Sequence, residues 1–285
     1  MTDFTVSNAL TRCFRALGQL RESIVDSTSS TTTIVDTKLA GILGSNNAYK
    51  NGTAIIIRTT DALAPQGEFN RISASDNATY KLTVDTAFTA APGSGDVYGY
   101  ANSSYPLQTT INLLNDALRS LGMIDLTDTT TITIASEKSE YSGSVSWKRT
   151  KPFRIEIATD TDTNDYKWKD IYDWDYIPAV AGTAPTIIFK KQYSTSYPTV
   201  KVWYRDLHPE VTTYSSKIRE ELHPELVTAA FVVKAMGWYM KANEANDDIY
   251  LQNYNEALQN LEHMRMMWPL PRWNKAHVKT PDLVF

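Results

Sequence analysis

Two stretches far apart in the chain carry one pattern. NALTRCFRALGQL (8–20) and INLLNDALRSLGMI (111–124) align at an offset of 104, which pairs Asn8 with Asn112, Leu10 with Leu114, Arg15 with Arg119, Leu17 with Leu121 and Gly18 with Gly122. A threonine-rich, β-branched run follows each: TTTI at 31–34 and TTTI at 129–132. The unit is therefore a helix followed by a β block, used twice. A single amphipathic helix cannot bury its own apolar stripe, so the helices must meet one another across the intervening β segments. That points to helices packed together with β insertions between them.

The first helix is expected over TVSNALTRCFRALGQLRESI, where Val6, Leu10, Cys13, Leu17, Leu20 and Ile24 recur on a helical period. NGTAIIIRTT, FNRISAS and TYKLTVDTAF then read as short antiparallel strands of a small β domain closing near GDVYGY, with APQGE and APGSGD as turns. After the second helix, FRIEIATD, YKWKDI, TIIFKKQY and TVKVWYRD suit strands of a longer, more aromatic block that ends near Leu207.

The last two helices are the plainest elements. HPELVTAAFVVKAMGWYMKAN sets Pro224 at a helix start, where its missing N–H costs nothing. Leu222, Leu226, Ala229, Val233, Met236 and Met240 make its stripe, and Asn246 or Asp247 caps the helix that follows. There Tyr250, Tyr254, Leu258, Leu261 and Met264 share a face, and the short connection implies an antiparallel hairpin. The expected class is α+β, a discontinuous four-helix bundle with two inserted antiparallel β domains. Its boundaries fall at 1–26, 103–124 and 207–267 for the helices, 27–102 and 125–206 for the β domains, and 268–285 for an extended arm.

Hydrophobic residues at 42% and charged residues at 21% give enough apolar material for packed cores. No window approaches the ~20 apolar residues of a membrane helix, and the N-terminal stretch holds no apolar run long enough for a signal peptide. Cys13 is the one cysteine, so no intramolecular disulfide can form, as suits assembly in a reducing cytoplasm. A net charge of −4 argues against a nucleic-acid binder but suits a surface that DNA slides past.

Motifs for catalysis are lacking. His208, His223, His263 and His277 lie in four separate segments, and no HExxH, CxxC or GxSxG occurs. GSGDVYG lacks the Lys-Ser/Thr of a phosphate loop and reads as a hairpin turn, and Cys13 reads as a small core residue. Asp160, Asp162 and Asn164 alternate as in the opening of a calcium loop, yet Asp165 stands where that loop needs Gly and Ile171 where it needs Glu. Trp168, Tyr172, Trp174 and Tyr176 offer an alternative: a flat aromatic platform that stacks on sugar rings, in a carbohydrate-binding tail or surface module. No cofactor is implied, and no motif supports a hydrolase among the many carboxylates.

The chain ends WPLPRWNKAHVKTPDLVF. Trp268, Trp273, Leu270, Leu283 and Phe285 are too apolar for a solvated tail, while Pro269, Pro271 and Pro281 forbid a helix. Arg272, Lys275 and Lys279 make this ending basic in an acidic chain. Burying such aromatics removes ~150–250 Å² each from water, and at ~3.3 Å per residue the segment reaches ~50 Å. The prolines reduce the entropy lost on docking.

The hairpin HPELVTAAFVVKAMGWYMKAN, its continuation DDIYLQNYNEALQNLEHM and the extended ending together resemble the portal adaptors, or neck proteins, of tailed bacteriophages. NGTAIIIRTTDALAPQGEFNRISASDNATYKLTVDTAFTAAPGSGDVYGY is similar to β modules of phage neck and tail-attachment proteins. The resemblance implies a non-enzymatic virion protein at the head–tail junction, assembled as a homo-oligomeric ring beneath the portal and lining the DNA channel. It further implies that Trp268 to Phe285 is the portal-docking arm. Its partners would then be the portal protein, neighbouring copies and tail or neck proteins below, with DNA passing unbound and no membrane involved.

Overall fold

The computed structural model describes residues 4–40, 43–148, 150–160, 167–180, 183–243 and 247–270. Among them are four α-helices and thirteen strands, and every paired strand is antiparallel, so the class is α+β. The chain forms two compact units, Met1–Gly122 with Pro209–Pro269, and one built on Met123–His208.

The first helix, α1 (Val6–Ala16), is shorter than its apolar stripe suggests. Thr5 caps its start, its hydroxyl accepting from the Asn8 N–H at 3.4 Å. At the other end Gly18 takes a left-handed φ of +66°, and the Gln19 and Leu20 N–H groups turn back to the Phe14 carbonyl at 2.9 and 3.2 Å. A glycine stop of this kind satisfies the last carbonyls and overrides a stripe that runs on past it. Residues 21–24, expected as helix, form strand β1 (Arg21–Ile24) instead, and Leu20 lies against Gly99, where a Cβ would sit 2.8 Å from its Cδ1.

The second copy of the pattern behaves alike. Helix α2 (Leu107–Ser120) is followed by Gly122 at φ +109° and then a strand, so Met123 and Ile124 also leave the helix. Both repeats are realised as helix, left-handed glycine, strand.

The first unit's strands are β1, β2 (Thr33–Val35), β3 (Thr53–Arg58), β4 (Phe69–Asp76), β5 (Lys81–Val84) and β6 (Val97–Ala101), ordered β1-β6-β3-β4-β5-β2. Their core holds Val25, Ile34, Ile56, Ile72, Leu82 and Tyr98. One polar pair is sealed inside it: the Tyr98 hydroxyl donates to Asp36 at 2.9 Å, and burial beside that carboxylate pushes the phenol pKa up.

The second unit has β7 (Met123–Asp128), β8 (Glu140–Ser142), β9 (Arg154–Ala158), β10 (Trp168–Ile171), β11 (Trp174–Ile177), β12 (Thr186–Phe189) and β13 (Val200–Leu207). They make two sheets, β10-β9-β13-β7 and β11-β12-β8, whose side chains share a core containing Trp147, Ile155, Ile187, Phe189, Val200 and Val202. Gly143 is required there, since a Cβ would stand 2.6 Å from the Trp147 ring.

The last helices are α3 (Pro224–Asn243) and α4 (Asp248–Met267). α3 packs on α1, α2 and α4. The expected single stripe proves too narrow: Leu226, Val227, Ala229, Ala230, Phe231, Val233 and Ala235 are all buried, so the covered face is much wider than one stripe, while Glu225 and Lys234 stay exposed and Met236 and Met240 are half-buried.

The approach to α3 is tied down by backbone pairing. The Val6 N–H donates to the Ser216 carbonyl at 2.9 Å and the Ile218 N–H to Phe4 at 2.8 Å. On α2, the buried Asn115 amide donates to the Val211 carbonyl at 2.8 Å and accepts its N–H at 2.9 Å, so one side chain replaces a strand partner. Removing it strands two buried backbone groups at ~1–3 kcal/mol each. Asn115→Ala is expected to lower the unfolding free energy by about 2–4 kcal/mol in urea titration; a loss under about 0.5 kcal/mol would show the clamp to be dispensable.

Candidate functional site

The hairpin of α3 and α4 presents the surfaces that the rest of the first unit leaves open. Pro224 opens α3, the His223 Nδ1 accepts the Glu225 N–H at 3.3 Å, and the Thr228 hydroxyl donates to the Pro224 carbonyl at 2.8 Å. Asp247 caps α4 by accepting from the Tyr250 N–H at 2.9 Å. The helices approach closely at Gly237, where an added Cβ would lie 3.6 Å from the Tyr254 ring.

Among the described residues of α4 only Leu261 is buried, with Tyr250, Tyr254, Ala257 and Met264 half-buried on the same side. Leu258, expected on that face, is 37% exposed, because its position turns past the narrow contact that one neighbouring helix offers. Ile249 is 73% and Met266 74% exposed, and Leu251, Met267 and Trp268 are exposed too. A helix covered on so little of its circumference leaves apolar surface in water.

Of the arm residues, Trp268, Pro269 and Leu270 are described, and Pro271, Arg272, Trp273, Lys275, Lys279, Leu283 and Phe285 lie outside the described residues. The Trp268 N–H closes the last turn on the Met264 carbonyl at 2.9 Å. Its indole stacks on His223 with ring centroids 3.7 Å apart and planes 2° from parallel. The start of α3 thus holds the root of the arm at the end of α4.

Between α3, α4, the end of α1 and the turn before α2 lies a cleft of about 750 Å³. Its aromatic side is made by Tyr105, Tyr239 and Tyr250, with Tyr105 to Tyr239 centroids at 5.5 Å and Tyr239 to Tyr250 at 5.7 Å. The Tyr250 hydroxyl donates to the Met236 carbonyl at 3.4 Å, and burial pushes the Tyr105 and Tyr250 phenol pKa values up. Asn253, Asn260 and Gln19 add amide groups. Among its described lining residues Asp247 and Glu256 are acidic and none is Lys, Arg or His. Sequence reasoning placed Tyr250 on the inner stripe of its helix but missed the cleft, because Tyr105 arrives from a turn with no periodic signal.

In the second unit the four aromatic candidates do not form one platform. Trp174 and Tyr176, on β11, pack against the core, and the Tyr176 hydroxyl donates to the Trp147 carbonyl at 3.1 Å. Tyr172 is exposed and bonded to Asp170 at 3.3 Å. Trp168 belongs to β10 in the other sheet, and the Lys201 ammonium sits 3.8 Å from its ring centroid. Burial holds that ammonium's pKa below the ordinary lysine range.

That outer sheet face is a charge network. Register places Glu156 of β9 directly between Asp170 and Lys201. Arg154 bridges the two carboxylates, at 2.7 Å from Glu156 and 2.6 Å from Asp170, while the Trp203 indole N–H donates to Glu156 at 2.6 Å. Two carboxylates set side by side across strands repel unless a cation joins them.

The remaining motifs resolve locally. In the GSGD turn the Asp96 carboxylate accepts from the Gly93 N–H at 2.8 Å and the Thr60 N–H at 2.9 Å, and the Gly95 N–H donates to the Val25 carbonyl at 2.8 Å, so those donors are engaged within the fold. Asp160 accepts from the Lys167 N–H at 3.2 Å, and Asp162 and Asn164 lie outside the described residues. Cys13 is fully buried, which pushes its thiol pKa up. Among the described residues no cluster of His, Cys, Asp and Glu is arranged to hold a metal ion, and no helix is long and apolar enough to cross a membrane. No protein-family model matches the chain, and no curated protein matches it in sequence.

Two substitutions test these surfaces. His223→Ala removes a stack worth ~0.5–1.5 kcal/mol, so hydrogen exchange of the Trp268 amide is expected to rise several-fold with the core amides unchanged; unaltered exchange would show that the stack does not hold the arm root. Arg154→Met leaves Glu156 and Asp170 facing each other and is expected to cost about 3 kcal/mol in chemical denaturation, whereas neutrality would mean the bridge adds nothing.

Proposed function

We propose that the protein is a non-enzymatic structural component of a tailed-phage virion, a ring of identical copies that joins the portal to the tail and lines the DNA channel. One observation carries the reading: α4 leaves apolar residues uncovered along its length and ends on Trp268, anchored by His223, at the root of a proline-rich apolar segment. Surfaces of this kind belong against other polypeptides. In this reading the helices act as one discontinuous four-helix bundle, with residues 27–102 and 125–206 as insertions available to tail or neck proteins. Trp268 to Phe285 is the arm that holds the portal, in keeping with the resemblance to phage adaptors. The net charge of −4 keeps the channel from trapping DNA.

Deleting residues 269–285 tests the arm. The shortened chain is expected to keep its circular dichroism spectrum and lose at least about 100-fold in affinity for purified portal rings, since removal of two anchoring aromatics, Trp273 and Phe285, costs several kcal/mol. Unchanged affinity would end the adaptor reading.

A further inference from the structure

We propose that the tyrosine-lined acidic cleft beside α3 and α4 is the seat of the proline-rich stretch Pro269–Lys275 of a second copy of the chain. The inference goes beyond portal attachment and rests on the cleft itself and on the sequence of that stretch.

The chemistry of the two sides matches. Extended proline-rich segments dock on aromatic grooves, because the polyproline conformation is preformed and loses little entropy. Pro269-Leu270-Pro271 supplies that pattern and Tyr105, Tyr239 and Tyr250 supply the rings. Arg272 and Lys275 follow on the segment, while the cleft carries Asp247 and Glu256 with no described cation to repel them. Asn253 and Asn260 provide amides for the backbone carbonyls that a polyproline chain leaves free.

The lengths agree as well. The α4 side of the cleft runs from Asp247 to Asn260, about 20 Å at 1.5 Å per residue. Pro269 to Lys275 spans about 22 Å at 3.1 Å per residue. Residues 276–285 then remain, about 30 Å of extended chain, for a more distant partner such as the portal.

The donor is a second copy because the segment starts at the wrong end to fill its own cleft. It leaves α4 at Trp268, which is stacked on His223, and Pro269 is exposed. Entering its own cleft would need an immediate reversal along α4. Pro269 and Pro271 fix their own φ and cannot continue a helix, which removes two of the torsions such a turn would use. A segment of each copy seated on the next is a heterologous contact, the kind that closes rings.

The test uses the full-length chain. Sedimentation velocity should show concentration-dependent self-association that Glu256→Arg and Arg272→Glu each weaken at least tenfold, with the double variant restored toward wild type. Glu256 is exposed, so its replacement should leave the circular dichroism unchanged. A mixture of Asn253→Cys and Lys275→Cys chains should oxidise to a disulfide-linked dimer. A strictly monomeric chain, self-association unmoved by both charge reversals, or a double-cysteine chain that links only within itself would overturn the inference. Portal binding that survives Glu256→Arg would leave the adaptor reading intact, so the two ideas fail separately.

Discussion

Burial of the wide apolar face of α3 is the condition on which the first unit depends. With Leu226, Val227, Ala230, Phe231 and Ala235 all buried, the helix needs neighbours on several sides. Its neighbours come from distant parts of the chain: α1 near the start, α2 after the first sheet, and α4 beyond the hairpin turn. Non-local contacts of this kind close only after large loops have formed, and short polar devices keep them in register. Asn115 clamps Val211, and the strand-like pairing of Phe4 to Val6 with Ser216 to Ile218 sets where α3 begins.

α4 has the opposite character. It meets α3 along one side and leaves the remainder in water, so its stability rests on its cap, its own hydrogen bonds and a narrow contact through Tyr254 and Leu261. The His223–Trp268 stack then matters beyond its small energy, because it ties the end of α4 to the start of α3.

The second unit follows another logic. Its interior is aliphatic and aromatic, while the outer face of β9, β10 and β13 alternates Arg, Glu, Lys, Asp and Trp. Arg154 lets two carboxylates stand on adjacent strands, and Lys201 covers Trp168. The charges on this face are largely paired with one another, leaving a rigid, near-neutral patch rather than a field of one sign.

Local chemistry determined much of this by itself. Gly18 and Gly122 stop two helices, Pro224 and Asp247 start two others, and the β-branched runs become strands, because each effect acts within a few residues. The stripe through Leu20 and Ile24 misled, since periodicity extends past a glycine stop that the backbone obeys first. Tertiary structure alone decided the rest. Trp174 and Tyr176 turn to the core while Trp168 lies under Lys201, because sheet membership assigns faces that alternation cannot. Tyr105 meets Tyr239 and Tyr250, and His223 meets Trp268, through elements separated by many residues. Such meetings are set by how helices cross, and one-dimensional spacing carries no record of a crossing.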